Sequence, residues 1–220
     1  MSRQERSAIV FCDFDGTITA CETFVGVLKH FAPELSSELI PKILSKEITI
    51  RQGVRQILES IPSSVYPDEL LKFVQDKPIR SGLSALIDYL DSQSIPFVVV
   101  SGGLRCLVEA VLQREKLLER CAKIYAIDVD KSGEKLKVIS EWESGSELVA
   151  KVNVIKHECQ NQEQIIVIGD SITDLNAAKC ADLVFARDGL CKYLTDENIG
   201  FLEWNDFEEI KNQLEARDHQ

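Results

Sequence analysis

Ala8-Ile9-Val10-Phe11-Cys12-Asp13-Phe14-Asp15-Gly16-Thr17-Ile18-Thr19 sets an unbroken apolar run directly before two carboxylates separated by one residue. The run shows no helical period, which reads as a strand buried on both faces, and Gly16 ends the extended pattern. Asp13 and Asp15 then stand at the carboxyl edge of that strand. In a parallel sheet this is the edge where the loops diverge and ligands bind.

The same grammar recurs down the chain. Phe97-Val98-Val99-Val100 is a second short apolar run, closed by Ser101-Gly102-Gly103. Ile165-Ile166-Val167-Ile168 is a third, closed by Gly169-Asp170, and Leu183-Val184-Phe185-Ala186 is a fourth. Helical stretches lie between them: residues 82–92, then an apolar stripe of Leu104, Leu107, Val108, Val111, Leu112 and Leu118. Residues 123–129 and 136–142 read as two strands of a hairpin turning around residues 130–133. Ser146 is placed to cap a helix carrying Leu148, Val149, Val152 and Ile155, with Lys151 near its first turn. A lysine is unfavourable for the helix dipole there, so it is either solvated or set where an anion will sit. Ser171 to Asp174 opens the next helix, and Asp206 with Glu209 resembles a capping box for a last one bearing Phe207, Ile210 and Leu214.

Short apolar strands alternating with amphipathic helices imply an α/β fold, a doubly wound parallel sheet covered on both faces. If the strands ending in Asp13, Ser101 and Asp170 are neighbours, those side chains meet in one crevice. The stretch after Thr19 is instead helical in period to about residue 79, with Pro33, Pro41, Pro62 and Pro67 dividing it into short pieces. It is the candidate inserted unit. The expected organisation is therefore a core of residues 1–20 and 81–220 with a helical cap at 21–80. The clearest cap helix, residues 48–61, puts Ile50, Val54, Ile57, Leu58 and Ile61 on one stripe and Arg51, Arg55 and Glu59 on its neighbour. The arginines face either solvent or a cleft, and Arg55 and Glu59 also suit an i,i+4 pair.

Composition narrows the classes. A chain of 220 residues, 45% hydrophobic and 28% charged, is that of a globular protein with one core and room for an insertion. No run is long enough to cross a bilayer, and the polar first seven residues lack the apolar region of a signal peptide. Seven scattered cysteines without a C-x-x-C pair read as reduced thiols, so the cytoplasm is the expected compartment. His30, His157 and His219 are too dispersed to suggest a metal or triad histidine and are read as structural or solvated. With 25 basic against 36 acidic residues the net charge is −11, which opposes binding to nucleic acid or anionic membrane. An anionic substrate must be held by local positive charge.

Carboxylates gathered at one edge repel one another unless they are solvated or joined by a cation. Oxygen ligands without cysteine or histidine point to a hard ion, Mg²⁺. A small phosphorylated metabolite suits such a site: Mg²⁺ and Lys151 neutralise phosphate oxygens, Ser101 and the Gly102–Gly103 backbone donate hydrogen bonds, and one carboxylate attacks phosphorus. Taken singly, Asp15-Gly16 could be a turn, Ser101-Gly102-Gly103 a strand exit, and Ser171 with Asp174 a helix cap. Their occurrence together at successive strand ends favours the catalytic reading.

Asp13-Phe14-Asp15-Gly16-Thr17, Ser101, Lys151 and Gly169-Asp170-Ser171-Ile172-Thr173-Asp174 resemble the four motifs of the haloacid dehalogenase superfamily of phosphotransferases. The helical stretch between the first two motifs is similar to the superfamily's C1-type cap. The resemblance implies that Asp13 is the nucleophile forming an aspartyl-phosphate and that Asp15 is the general acid and then the base. It implies Mg²⁺ on the Asp13 carboxylate, the Asp15 carbonyl and Asp170, phosphoryl binding by Ser101 and Lys151, and Asp174 supporting the metal shell or orienting Lys151. The presence of Asp15 favours phosphatase over dehalogenase, since only an oxygen leaving group needs a proton.

Two capped branches compete. The stretch Glu47-Ile48-Thr49-Ile50-Arg51-Gln52-Gly53-Val54 and residues 168–188 are most similar to the branch that removes phosphate from 2-hydroxy-3-keto-5-methylthiopentenyl-1-phosphate in methionine salvage. Phosphoserine phosphatases are the alternative, favoured by Glu22, which matches an acid near the substrate amine, and opposed by Gly53, which stands where their carboxylate-binding arginine is expected. Arg51 or Arg55 could take that arginine's place. A phosphotransferase or mutase, and a non-catalytic phosphometabolite binder, are the remaining classes.

Overall fold

A computed structural model describes residues 7–218; Met1 to Arg6 of the polar leader, and His219, lie outside the described residues. Strands β1 (Ala8–Cys12), β2 (Phe97–Leu104), β3 (Lys123–Asp130), β4 (Lys137–Ile139), β5 (Gln164–Gly169), β6 (Leu183–Ala186) and β7 (Leu202–Glu203) form one sheet in the order β4-β3-β2-β1-β5-β6-β7. All pairs are parallel except β3 with β4. The chain moves outward from β1 through β2 to β4, then crosses back to β5 on the other side of β1. That reversal makes β1 the switch point, where a parallel sheet leaves a crevice at its carboxyl edge.

The apolar runs became strands for the reason their patterning gives. Val10, Phe11 and Cys12 of β1, Phe97 to Val100 of β2 and all of β6 are buried on both faces, so no polar alternation is tolerated. Each such valine, leucine or phenylalanine side chain contributes about 1.5–3 kcal/mol of burial free energy.

The helices are α1 (Thr23–Phe31), α2 (Pro33–Leu44), α3 (Ile50–Leu58), α4 (Asp68–Val74), α5 (Leu83–Ser92), α6 (Arg105–Arg114), α7 (Lys151–Glu158), α8 (Leu175–Ala178), α9 (Asp188–Asp196) and α10 (Phe207–Asp218). α1 to α4 occupy the stretch between β1 and α5. α3 keeps the expected stripe: Val54, Ile57, Leu58 and Ile61 are buried. It is shorter than residues 48–61 because Thr49 and Gln52 close a capping box at its start. The segment is fastened to the sheet's hairpin, with Ser63 N–H donating to Glu134 (2.9 Å) and Leu136 N–H to Ile61 (3.0 Å).

Several boundaries depart from the sequence reading. Pro41 does not divide the helical stretch; it lies inside α2, whose first turn begins at Pro33. β2 continues past Val100 to Leu104 through an irregular register, so Ser101, Gly102 and Gly103 belong to the strand rather than following it. Ser146 caps nothing. It lies in an irregular loop where its carbonyl accepts from Arg51 N–H at 2.8 Å, and α7 begins only at Lys151. Of residues 136–142 only Lys137–Ile139 pair as a strand. At α10, Asp206 Oδ1 accepts from Glu209 N–H at 3.0 Å, while the Glu209 carboxylate takes the Asn205 N–H at 2.9 Å, one residue earlier than a capping box requires.

Candidate active site

Adjacent strands β2, β1 and β5 deliver Ser101, Asp13 and Asp170 to one edge, and Asp13 N–H donates to Ile168 O at 3.0 Å, extending the β1–β5 ladder by one residue. Asp13, Ser101, Lys151, Asp170 and Asp174 are all buried. Lys151, as the first residue of α7, reaches across to both Asp13 and Asp174. The lysine that opposes its own helix dipole is thus answered by two carboxylates.

Both oxygens of Asp174 are engaged. Its Oδ1 accepts from Lys151, and its Oδ2 takes the N–H groups of Asp170 and Ser171, both at 3.1 Å. Gly169 permits this closeness, since a Cβ there would stand 2.5 Å from Asp174 Cγ. Asp170 Oδ1 accepts the Thr17 hydroxyl at 2.7 Å. Asp170 Oδ2 lies against Gly16, where a Cβ would come within 2.5 Å and where φ is +80°, so glycine is required twice over.

Oxygens of Asp13, Asp170 and Asp174 come within 4.8 Å of one another. Burial first, and then Asp174, raise the Asp13 carboxyl well above its ordinary range against the pull of Lys151. Burial followed by Asp174 likewise pushes Asp170 up to about 6. For Lys151 burial works the other way, but Asp13 and Asp174 outweigh it and hold the ammonium firmly protonated. A single ammonium does not neutralise this many carboxylates, and an all-oxygen set short of positive charge fits a hard divalent cation.

Asp15 is drawn to a different partner. One oxygen accepts from the hydroxyl and N–H of Thr23, the N–H at 2.7 Å, and from Phe24 N–H at 3.2 Å. These are orphan donors at the start of α1, whose own N-cap residue Glu22 makes no capping bond. Burial raises the Asp15 carboxyl, opposed by those hydrogen bonds. Its other oxygen faces Gly103, where a Cβ would lie 3.1 Å away.

Ser101 Oγ accepts from Gly103 N–H at 3.0 Å, leaving the hydroxyl proton to donate elsewhere. The Gly103 amide is therefore spent within the strand, contrary to the expectation that it would serve a phosphoryl group, whereas Gly102 is open to solvent. Glu22 is exposed at the rim, yet burial of its carboxyl and then the charges of Asp15, Asp170 and Asp174 push it up to about 7. Arg55 is not free for a ligand: it pairs with Glu143 and Glu59 and donates to Val138 O at 3.3 Å. Arg51 is half-buried, and its side chain makes no polar contact among the described residues. The sequence alone assigns no role to Thr17 or Thr23: Thr17 stands inside the first motif, while nothing local marks Thr23 as a partner of Asp15.

The model of haloacid dehalogenase-like hydrolases matches residues 10–179. The chain belongs to this family. A 2-hydroxy-3-keto-5-methylthiopentenyl-1-phosphate phosphatase of Microcystis aeruginosa is 49% identical over 212 residues, covering 96% of this chain and 100% of the relative. One of Bacillus cytotoxicus is 33% identical, covering 94% and 95%. Among solved structures, phosphoserine phosphatase from T. onnurineus has a TM-score of 0.68 at 17% identity, covering 96% of each chain. A substrate-bound phosphoserine phosphatase has a TM-score of 0.68 at 19% identity, covering 96% of this chain and 99% of its own. At such identity the structural likeness speaks to the fold.

Proposed function

We propose that this phosphatase cleaves phosphomonoesters through an aspartyl-phosphate on Asp13. The observation that carries this reading is the division between the two carboxylates. Asp13 is held against the Lys151 ammonium beside Asp170, while Asp15 is pulled aside onto the N–H groups and hydroxyl at the start of α1; burial raises both carboxyls, and the ammonium bonded to Asp13 opposes that rise there. A nucleophile needs a cation beside it to keep its anion, and a general acid needs to stand apart from that cation.

Asp13 attacks phosphorus as Asp15 gives its proton to the leaving ester oxygen. Asp15 then takes a proton from the water that attacks phosphorus, which releases phosphate and restores Asp13. Lys151 and the free Ser101 hydroxyl proton hold phosphoryl oxygens, the open Gly102 backbone lines them, and Asp174 orients Lys151. Asp13, Asp170 and the Asp15 carbonyl would hold Mg²⁺, whose chemistry there is neutralisation of phosphoryl charge.

The substrate we assign is 2-hydroxy-3-keto-5-methylthiopentenyl-1-phosphate, named for relatives 49% and 33% identical over nearly the whole chain. Packing at Gly53 agrees, because a side chain at the position where the phosphoserine branch has its arginine would have to displace the Ile43 side chain. Residues 21–80 are read as the cap that encloses the substrate. Seven unpaired cysteines support a reducing compartment, the cytoplasm; no helix among the described residues is long and apolar enough to cross a membrane.

A panel containing the methylthio ester, phosphoserine and other amine-bearing monoesters, assayed with Mg²⁺ and with chelator, tests the substrate and the metal together. Preference for phosphoserine would overturn the substrate, and chelator-insensitive turnover would overturn the metal. Asp13→Asn is expected to abolish phosphate release with the fold intact; undiminished turnover refutes the nucleophile.

A further inference from the structure

Arg80 lies where the helical segment returns to the sheet. Ala20 N–H donates to Pro78 O and Arg80 N–H to Ile18 O, each at 2.9 Å, and Thr19 bridges Ile79 in antiparallel fashion. From this crossing the Arg80 guanidinium donates through Nε (3.2 Å) and Nη2 (2.8 Å) to one acceptor, the carbonyl of Gly16. Gly16 sits between Asp15 and Thr17 in the left-handed region. A glycine in a turn rotates about ψ at little cost unless its carbonyl is held, and that rotation would turn Asp15 relative to Thr17.

The guanidinium is itself held. It stands 5.9 Å from the centroid of Trp204, and the Arg187 guanidinium stands 5.0 Å from the same ring. Trp204 is 2% exposed and packs on Phe207. Its indole N–H has no partner among the described residues, so the ring acts here through its face. Arg187 donates from its backbone N–H to Gly169 O (3.2 Å) and from Nη1 to Asn205 O (2.9 Å). One indole thus carries two like charges, one tied to the turn after β1 and the other to the end of β5. Among the described residues Arg80 makes no ion pair, so its fork serves Gly16 rather than a carboxylate.

We propose that Arg80, seated on Trp204, is a positioning residue that fixes the Gly16 peptide and thereby the reach of Asp15 to the leaving-group oxygen. This rests on the role assigned to Asp15 above. A positioning role is visible in leaving-group dependence, which general loss of structure does not produce. The test compares kcat/KM, which reports the first phosphoryl transfer, on p-nitrophenyl phosphate, whose leaving oxygen needs no proton, and on a simple alkyl phosphate, whose oxygen does. Arg80→Met is expected to lower kcat/KM on the alkyl ester by roughly 100-fold and on the nitrophenyl ester by less than about threefold, in line with the worth of a general acid. Arg80→Lys, which restores one donor, recovers part of the loss and carries the comparison if Arg80→Met does not fold. Equal losses on both esters, or none, overturn the inference. Asp15→Asn is measured alongside. If it shows the leaving-group dependence and the Arg80 variants do not, Arg80 alone is wrong; if Asp15→Asn lacks it, the role of Asp15 falls and Arg80's with it.

Discussion

Replacing Asp170 by asparagine is expected to make the metal-free protein more stable while destroying its activity. Asp170 is 7% exposed, and burial, followed by the charge of Asp174, pushes its carboxyl from an ordinary 3.8 to about 6. The folded protein therefore keeps this proton to a higher pH than the unfolded chain does. The associated stability is fully present below about 3.8 and is lost as pH rises through about 6. The gap corresponds to about 3 kcal/mol at neutral pH. Asparagine is neutral throughout, and its carbonyl can still accept the Thr17 hydroxyl that now bonds Asp170 at 2.7 Å. In chelator at pH 7.5, Asp170→Asn should thus melt higher by roughly 6–12 °C, taking about 2–4 °C per kcal/mol for a chain of this size. At pH 5 the gain should shrink to about half, because the wild-type carboxyl is by then mostly protonated in the folded state. Added Mg²⁺ should raise the melting temperature of the wild type but not of the variant, which lacks the anionic ligand. Scanning calorimetry at the two pH values with chelator, and with Mg²⁺ at pH 7.5, measures all of this. A variant that melts no higher than wild type in chelator at pH 7.5, or a gain that does not change with pH, refutes the reasoning.

Other outcomes follow from the same geometry. Mg²⁺ affinity of the wild type, read by titration calorimetry, should fall about tenfold per pH unit below about 6, since the ion must displace the proton that Asp170 then carries. Gly169→Ala should cost about 1–3 kcal/mol of stability and at least about tenfold in kcat, because its Cβ would displace the carboxylate that holds Lys151. Gly102→Ala has nothing within 4 Å of its added methyl and should leave the melting temperature unchanged; a large drop would show that the strand edge is packed differently. Arg55→Ala removes half-exposed pairs with Glu59 and Glu143 and should cost about 1 kcal/mol with KM unchanged. A tenfold rise in KM would return Arg55 to the substrate.

Much of this cluster could be read from the chain because its side chains are placed by strands. A strand buried on both faces announces itself as an apolar run, and the residue after it stands at the sheet edge whatever the rest of the chain does. Asp13, Ser101 and Asp170 were legible for that reason. Boundaries set by hydrogen bonds to distant partners were not. Ser146 has the chemistry of a helix cap, but its carbonyl accepts from α3, and α7 starts only at Lys151, four residues past the first helical position such a cap would set. Arg55 occupies the same polar stripe as Arg51, and only the packing of α3 on β4 and the loop beyond it commits one to carboxylates while the other's side chain has no polar partner among the described residues.

By itself, then, the sequence determined the α/β alternation, the helical stretch that follows β1 and the strand-end carboxylates. Periodicity and strand termination are local properties, written in residues that adjoin one another. Only the tertiary structure decided that Asp15 hangs on Thr23 and Phe24 while Asp13 meets Lys151, that both oxygens of Asp174 are engaged, and that Arg80 grips Gly16 from Trp204. Carboxylates two positions apart have the same local chemistry. Their surroundings differ because the start of a helix lies beside one and a buried ammonium from 138 residues away lies beside the other.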